Sequence, residues 1–484
     1  MTRRLRIACC LLLASCAMGP DYERPAVEAP QTFRQAEQHQ IQGPEAESIA
    51  NLAWWELLKD QELQRLVRIA LAENKDLKRA AASVEEYQAR LYSARMEFAP
   101  TVNANLLDPM AKTGGFGPAG FPTPFNKYAD TTISWELDIW GRVRRTNEAA
   151  RAQMFAQEEN KRAVILELVS GVAEAYFDLR QLDMQSDIAK STLGAWEEAV
   201  KIAQARLKQG VISQLDVDQF EAERAGAASR IAELERAKVQ KENQLSLLLG
   251  RNPGAIPRGR SLTDQEVPMQ VPAGLPSDLL QRRPDIVVAE QDLHAATARI
   301  GVAQAERFPN LTLTGLLGVA SPQLSNLLTG SSQFGAVGLG LAGPILSAQT
   351  LGFEKQAAEA QAKQALASYE KSVLVAFKEV DDALVSIKTS SEQVEAQEAQ
   401  VKALRSALNL AEKRYQGGLA SYLDVLLARR NLFDSELALT STRRLRLVAV
   451  VQVYKALGGG WPSGGADPAR SAASPAPPAE PAGK

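Results

Sequence analysis

Few residues in this chain are equipped for chemistry, and the best equipped is Cys16. All three cysteines fall within the first sixteen residues. Arg3, Arg4 and Arg6 precede a short apolar run from Ile7 to Leu13, and Leu13-Ala14-Ser15-Cys16 closes it. The run is too short to cross a bilayer and has the layout of a signal peptide. Small residues ahead of the cysteine form the pattern of a bacterial lipobox. Cleavage before Cys16 then frees an amino group, lipid joins that amine and the thiol, and the mature chain keeps no free cysteine and no disulfide. A plain secretory signal with incidental cysteines is the competing reading. Ala17 stands where an Asp would retain such a lipoprotein at the inner membrane in enteric bacteria, which points to the outer membrane.

The remaining candidates are weaker. His39 and His294 are the two histidines, a thin basis for a metal or catalytic centre. Glu290 and His294 lie four apart and could share a metal on one helix face, but the second histidine of H-E-x-x-H is missing, so a surface pair is expected. Gly338-Leu339-Gly340-Leu341-Ala342-Gly343 is formally G-x-G-x-x-G. A dinucleotide turn must open a helix straight after a strand, and here Pro344 and a short apolar stretch intervene, so the glycines read as part of a strand wall. No nucleophile elbow, Walker loop or cysteine ligand set is present. The chain reads as no enzyme, with no cofactor and no metal. Its net charge of -2 gives no basic footprint for nucleic acid. Asp381-Asp382 and the face around Glu392, Glu395 and Glu398 could bias a lumen toward cations, although a solvated helix face is the simpler account.

The elements behind these residues come in two copies. RLKQGVISQLDV runs from Arg206 to Val217 and RYQGGLASYLDV from Arg414 to Val425; Arg206, Gly210, Ser213, Leu215, Asp216 and Val217 plus 208 give Arg414, Gly418, Ser421, Leu423, Asp424 and Val425. Each copy reads as a helix end, a turn and a helix start. Gly210 and Gly418 suit the left-handed position past a helix C-terminus, and Ser213 and Ser421 suit N-caps with an acid at the capping-box place.

The same order surrounds both turns. A proline-punctuated arm through Pro20, Pro25 and Pro30 leads to a helical pattern from Leu52 to Phe98, stopped by Pro100. Strands follow over Thr101–Leu107 and Thr131–Ile139, with a Gly/Pro-rich loop from Asp108 to Asp130 between them. Gly141 to Gln209 is then a helix of about 100 Å. Its seam runs through Ile165, Leu168, Val172, Ala175 and Leu179, and resumes as Ala189, Leu193, Trp196, Val200 and Ala203. The return helix spans Ser213–Leu249. After a connector, Ser277–Phe308, the strands Leu311–Val319 and Phe334–Leu341, the long helix Ser347–Gln416 and the return helix Ser421–Leu457 repeat the order. The expected divisions are a signal peptide (1–15), a lipid-anchored arm (16–50), a first repeat (51–258), a linker (259–276), a second repeat (277–457) and a tail with the composition of disorder (458–484).

Four strands cannot close a membrane barrel, because such barrels begin at about eight and an open edge in lipid leaves backbone groups unsatisfied. The expected fold is therefore an α+β membrane protein. Three chains of four strands form a trimeric 12-stranded β-barrel, continued by a long α-helical coiled-coil barrel, with two internal repeats per chain. An envelope-spanning structural or adaptor lipoprotein without a pore is the alternative, and it would not need paired strands with a lipid-facing side.

Several stretches carry a family likeness: CAMGPDYERP from Cys16 to Pro25, Trp54-Trp55 through Asn74 and Asp76, WELDIWGR from Trp135 to Arg142, GLPSDLLQRRPDI from Gly274 to Ile286, Phe308-Pro309, and the two RxxxGxxSxxDV turns. With these the chain resembles the TolC/OprM-like outer-membrane efflux lipoproteins of the NodT group over nearly its whole length. The resemblance implies a homotrimeric channel, seated in outer-membrane lipid and reaching into the periplasm. It would dock to a periplasmic adaptor (membrane fusion protein) and an inner-membrane pump, usually of the resistance-nodulation-division class, and pass drugs, dyes, metals or other toxic solutes outward. It also implies that Arg206, Gly210, Ser213, Arg414, Gly418 and Ser421 form tips that meet the adaptor, and that the tips close the periplasmic entrance. In some members a leucine and an acid one helical turn later line that constriction. Here Leu423 fits, Leu427 stands at the acid's place and Asp424 follows Leu423, so Asp216, Leu423, Asp424 and Leu427 are the gate candidates.

Overall fold

Helical stretches of this sequence are interrupted where a side chain serves the backbone better outside a helix than within one. The computed structural model describes residues 17–27, 30, 57–107, 127–266, 276–321, 323–344 and 348–459. Cys16, His39, Trp54, Trp55 and the 460–484 part of the expected tail lie outside the described residues.

Two helices occupy the described part of the span read as one from Leu52 to Phe98: α1 (Gln61–Glu73) and α2 (Lys75–Met96). Asp60 caps α1, its Oδ1 accepting from the amides of Glu62 at 2.9 Å and Leu63 at 3.4 Å. Asn74 separates the helices with φ -56° and ψ 136°. Its Oδ1 accepts from the Leu77 amide at 2.9 Å, while its Nδ2 donates to the Leu248 carbonyl at 2.8 Å. The apolar spacing continues through this break, so periodicity alone does not reveal it.

Strands β1 (Thr101–Leu107), β2 (Lys127–Leu137), β3 (Asn310–Ser321) and β4 (Gln333–Ala342) form one antiparallel sheet in the order β1-β2-β3-β4. β1 matches the expected bounds. β2 begins at Lys127 rather than Thr131, because Tyr128, Ala129 and Asp130 pair with Leu107, Leu106 and Asn105. Asn105 Nδ2 also donates to Asp130 Oδ2 at 3.1 Å. That cross-strand bond outweighs the poor strand propensity of Asp. β2 ends at Leu137 rather than Ile139, since Asp138 turns to accept from the amides of Val143 at 3.1 Å and Arg144 at 2.9 Å. Those bonds start the long helix α3 (Arg142–Lys208).

The return helix α4 (Gln214–Leu248) follows α3. The span read as one helix from Ser277 to Phe308 is again two, α5 (Pro276–Arg282) and α6 (Pro284–Ala305), because Pro284 disfavours helical geometry at Arg283. After the sheet come α7 (Ala348–Gln416, 69 residues) and its return helix α8 (Tyr422–Ala456).

The chain divides into two compact units, and each draws on both halves of the sequence. The first takes Met1–Val27, Ala82–Glu159 and Val288–Lys371 and carries the sheet. In it Ala149 and Ala152 of α3 pack on Ala295 and Ala298 of α6. The second takes Glu28–Ala81, Asn160–Val287 and Ser372–Lys484. Its core joins Leu63 and Leu66 of α1, Val172 and Leu179 of α3, Val380 of α7 and Val448 of α8. Farther along, Val394 and Val401 of α7 meet Leu432 and Leu439 of α8, each pair seven apart as in a coiled coil. Ser390 of α7 is buried and returns its hydroxyl to the Ile387 carbonyl at 3.2 Å.

Candidate functional site

Alternation gives the sheet two unlike faces. Ile133, Trp135 and Leu137 of β2 share one face with Val102 of β1, Leu311 and Leu313 of β3, and Val337, Leu339 and Leu341 of β4. Val337 is 80% exposed and Leu341 70%. The opposite face carries Asn103, Asn105, Asp130, Thr132, Ser134, Glu136, Thr312 and Thr314. A bare aliphatic face beside a polar one is poorly suited to water on both sides. β1 and β4 are the outer strands of the sheet, and each therefore presents an edge. The expected strand wall over Gly338–Gly343 coincides with β4 as far as Ala342.

At the end of β2 the N-terminal arm docks in the same unit. The Met18 amide donates to the Trp140 carbonyl at 2.9 Å. The Trp140 indole donates to the Pro309 carbonyl at 2.8 Å and stacks on Phe308. Arg145, only 5% exposed, donates to the Met18 carbonyl at 3.1 Å and pairs with Asp21 at 2.6 Å and Glu148 at 2.7 Å. Tyr22 stacks on His294 with ring centroids 4.4 Å apart, and Arg24 pairs with Glu290 at 2.9 Å. His294 also contacts Glu148 at 2.9 Å. Glu290 and His294, weighed above as a metal or surface pair, are each engaged in holding this arm. Burial, with the adjacent Glu290 charge, pushes the Tyr22 hydroxyl well above its ordinary range. Cys16 lies outside the described residues, but Ala17, which follows it, sits against Gly141: a Cβ on that glycine would come within 2.8 Å of the Ala17 Cα.

The twin turns lie in the second unit. Gly210 and Gly418 both have φ +71°. The Val211 amide reaches back to the Arg206 carbonyl at 3.0 Å, and the Leu419 amide to the Arg414 carbonyl at 2.8 Å, closing both long helices by the same motif. Ser213 donates its amide to Asp216 Oδ2 at 2.9 Å and Ser421 donates its amide to Asp424 Oδ2 at 3.2 Å, so both capping boxes form with Asp in the acid position.

The structure brings the two turns together through side chains. Phe220 of α4 stacks on Tyr422 of α8 at 3.6 Å, and the Arg206 guanidinium lies 4.8 Å over the Tyr415 ring. Arg429 lies 5.2 Å over Trp196 and pairs with Glu412 at 2.5 Å. Burial holds the Tyr422 hydroxyl far above its ordinary range. Leu423 and Leu427, one turn apart on α8, are 52% and 47% exposed, and Leu215 on α4 is 65% exposed. Arg414 is exposed in the last turn of α7, and Arg206 rather than Arg414 makes the contact across the turns.

Sequence reasoning missed Phe220 and Tyr422. A signal existed in the differences between the copies: Leu207 and Gln214 of the first correspond to Tyr415 and Tyr422 of the second. Identity marks what each turn needs for itself, and the differences mark where the turns meet. Among the acids weighed for a lumen, Asp382 pairs with Lys378 on its own helix at 2.7 Å and Glu398 pairs with Arg443 at 2.7 Å.

Comparison with known proteins adds to this geometry. A family model described as outer membrane efflux protein matches residues 66–251 and 275–459. The antibiotic efflux pump outer membrane protein ArpC of Pseudomonas putida is 34% identical over 460 residues, covering 93% of this chain and 94% of its own. The probable outer membrane lipoprotein SilC of Salmonella typhimurium is 33% identical over 459 residues, covering 94% and 98%. Among solved structures, the open state of the Neisseria gonorrhoeae MtrE outer membrane channel superposes with a TM-score of 0.79 at 31% identity, covering 92% of this chain and 98% of that one.

Proposed function

The chain belongs to the outer membrane efflux protein family, and from that premise we propose that three copies close a twelve-stranded β-barrel continued by a coiled-coil barrel of their long helices. It is an outer-membrane efflux channel of a tripartite system and a transport protein. The observation that carries the barrel reading is the open, two-faced sheet. Its outer strands run antiparallel to each other, so β4 of one copy can lie beside β1 of the next without breaking the alternation. Three copies of four strands then leave no edge in lipid. The aliphatic face turns to acyl chains and the polar face lines the lumen.

The docked arm supports lipidation at Cys16. Met18 is tied to Trp140, just past β2, so acyl chains on the preceding cysteine would enter the membrane beside the end of the barrel. The twin turns form the periplasmic tips, where Arg206, Gly210, Ser213, Arg414, Gly418 and Ser421 meet an adaptor. Asp216, Leu423, Asp424 and Leu427 stand at the closure. The exposed apolar side chains there, Leu215, Leu423 and Leu427, favour a protein partner or a neighbouring copy over water. The duct is passive and carries out no reaction. Antibiotics or other toxic solutes arrive from an inner-membrane pump, of the resistance-nodulation-division class, through the adaptor.

Two adjacent positions on β4 test the reading. Val337→Arg puts a charge on the aliphatic face and is expected to abolish membrane insertion and conductance, at about 2–4 kcal/mol per chain. Ala336→Arg, on the polar face, should insert normally and change the single-channel conductance. Equal tolerance at both positions, or a purified protein that stays monomeric and silent in planar bilayers, would overturn the proposal in favour of a scaffold.

A further inference from the structure

The helices attached to the sheet follow the order of its strands. α2 leads into β1, α3 follows β2, α6 leads into β3 and α7 follows β4. The inner pair, α3 and α6, packs through the alanines already described. α2 buries Leu91 and Ala94, and Ser83 donates to Gln157 of α3 at 3.2 Å. α7 buries Ala358 and Tyr369.

Each outer helix also has an open face within the first compact unit. Ala82, Glu86, Ala89, Ser93 and Met96 of α2 are all exposed, and so are Phe353, Ala357, Ala360, Gln364 and Ala367 of α7. Both sets step by four, three, four and three, the spacing of a coiled-coil seam. Met96 is 65% exposed and Phe353 59%, an apolar cost that a partner helix would remove.

Direction follows from the sheet. β1 and β4 are antiparallel, α2 runs toward the sheet and α7 runs away from it, so these faces meet antiparallel when β4 of one copy lies beside β1 of the next. In one register the layers are Ser93 with Phe353, Ala89 with Ala357, Glu86 with Ala360 and Ala82 with Gln364. Charges beside the seam then oppose: Arg90 stands by Glu354 and Glu85 by Lys363. Arg90 also pairs with Glu86 of its own helix at 2.5 Å, which keeps it next to the seam. Sliding by one heptad sets Glu97 by Glu354 and Glu85 by Glu370, two like-charged pairs. The charge pattern therefore selects the first register.

We propose that α2 of one copy packs antiparallel along α7 of a second copy, with Ala89 against Ala357 and the Arg90–Glu354 and Glu85–Lys363 pairs fixing the register. The choice of neighbour rests on the closed-barrel reading. Alanine against alanine lets two helix axes approach to about 8 Å, close enough for a disulfide between those positions after slight adjustment.

The test oxidises full-length protein in outer membranes and reads non-reducing gels. Ala89→Cys/Ala357→Cys should give dimers and covalent trimers, while each single variant and Gln88→Cys/Ala357→Cys should stay largely monomeric. At low salt, adding Arg90→Glu should slow crosslinking by about 2- to 5-fold, and adding Glu354→Arg as well should restore it to within about twofold; high salt should erase the difference. No crosslink in the first pair, a crosslink to a different protein, or indifference to the charge reversal would overturn the seam. Sedimentation of the uncrosslinked protein separates the two ideas. A trimer without the crosslink removes the seam and keeps the barrel, whereas crosslinked chains that run on beyond three keep the seam and remove the closed trimer.

Discussion

Asn74 donates from its side chain to the carbonyl of Leu248, the last residue of α4, at 2.8 Å. Arg283 does the same to the carbonyl of Ala456, the last residue of α8, at 2.9 Å. Each donor stands in the break between two short helices, and each acceptor ends a return helix. Arg283 adds ion pairs to Asp285 at 2.6 Å and Glu379 at 2.7 Å. The two breaks are the places where the sequence gives up helix continuity to tie its ends down.

Asn74→Ala removes both the cap of α2 and the bond to Leu248, so the loss should be about 1–2 kcal/mol. Asn74→Asp keeps the capping oxygen but sets a carboxylate oxygen against the Leu248 carbonyl where a donor stood, at a buried position, and should lose at least as much. Arg283→Ala should lose more than Asn74→Ala, about 2–3 kcal/mol, because it leaves the Ala456 carbonyl without its buried donor and removes two ion pairs whose half-exposed carboxylates return to water. Denaturant midpoints of the purified protein check that Arg283→Ala and Asn74→Asp both fall below Asn74→Ala.

Glycines at four helix ends should respond unequally. Gly210 and Gly418 have φ +71° with open space around a would-be Cβ, so alanine there costs only the left-handed strain, about 1–2 kcal/mol. Gly250 has φ +70°, and its Cβ would come within 2.4 Å of the Glu73 carbonyl oxygen; Gly458 has φ +68° and would meet the Arg282 carbonyl oxygen at 3.0 Å. Gly250→Ala should therefore be the most damaging of the four. Comparing the four melting temperatures decides this.

Periodicity carried the sequence reading through the long helices, their seams and strand β1, because spacing is a property of residue type. The breaks at Asn74 and Arg283 escaped it, since a capping side chain changes the backbone without changing the spacing. Asp130 escaped it for a related reason: its place in β2 depends on Asn105 on another strand. Gly210, Gly418, Ser213 and Ser421 were legible because turn chemistry is local. Phe220 and Tyr422 were not, because their contact joins residues about two hundred apart and shows only when the two copies are compared position by position.

Acid should loosen the start of α1. Burial alone would raise the Asp60 carboxyl, but donors from Gln265 at 2.8 Å, Tyr176 at 3.0 Å and the amides of Leu63 and Glu62 outweigh it and hold the group below the usual carboxylate range. A depressed folded value stabilises the fold above the unfolded value of about 3.9, and that stability fades as pH falls through the folded value. Hydrogen-exchange protection over 57–73 and 259–266, taken relative to the intrinsic amide rate at each pH, should be flat from neutrality to about pH 4 and fall below it. Asp60→Asn should exchange faster at neutral pH and lose most of the acid step.

Asp424 has two possible roles at the tip, and one pair of variants separates them. Its carboxylate accepts from the Ser421 amide at 3.2 Å and from the Ser421 hydroxyl at 3.2 Å, so Asp424→Ala removes half of a capping box as well as a charge. Ser421→Ala removes the other half of the box and leaves the charge in place. Each change costs the helix start about 0.5–2 kcal/mol. If the charge holds the periplasmic entrance closed, Asp424→Ala raises planar-bilayer conductance and antibiotic uptake while Ser421→Ala leaves both near the original level. If the cap alone matters, the two variants rise together. Asp216→Ala supplies the comparison on the first turn, where the Ser213 amide bond is shorter at 2.9 Å and the neighbouring Leu215 has no exposed leucine one turn on, the following positions being Gln219 and Asp218. The gate reading expects Asp216→Ala to open the channel less than Asp424→Ala, and an equal or larger effect would place the closure on the first turn instead.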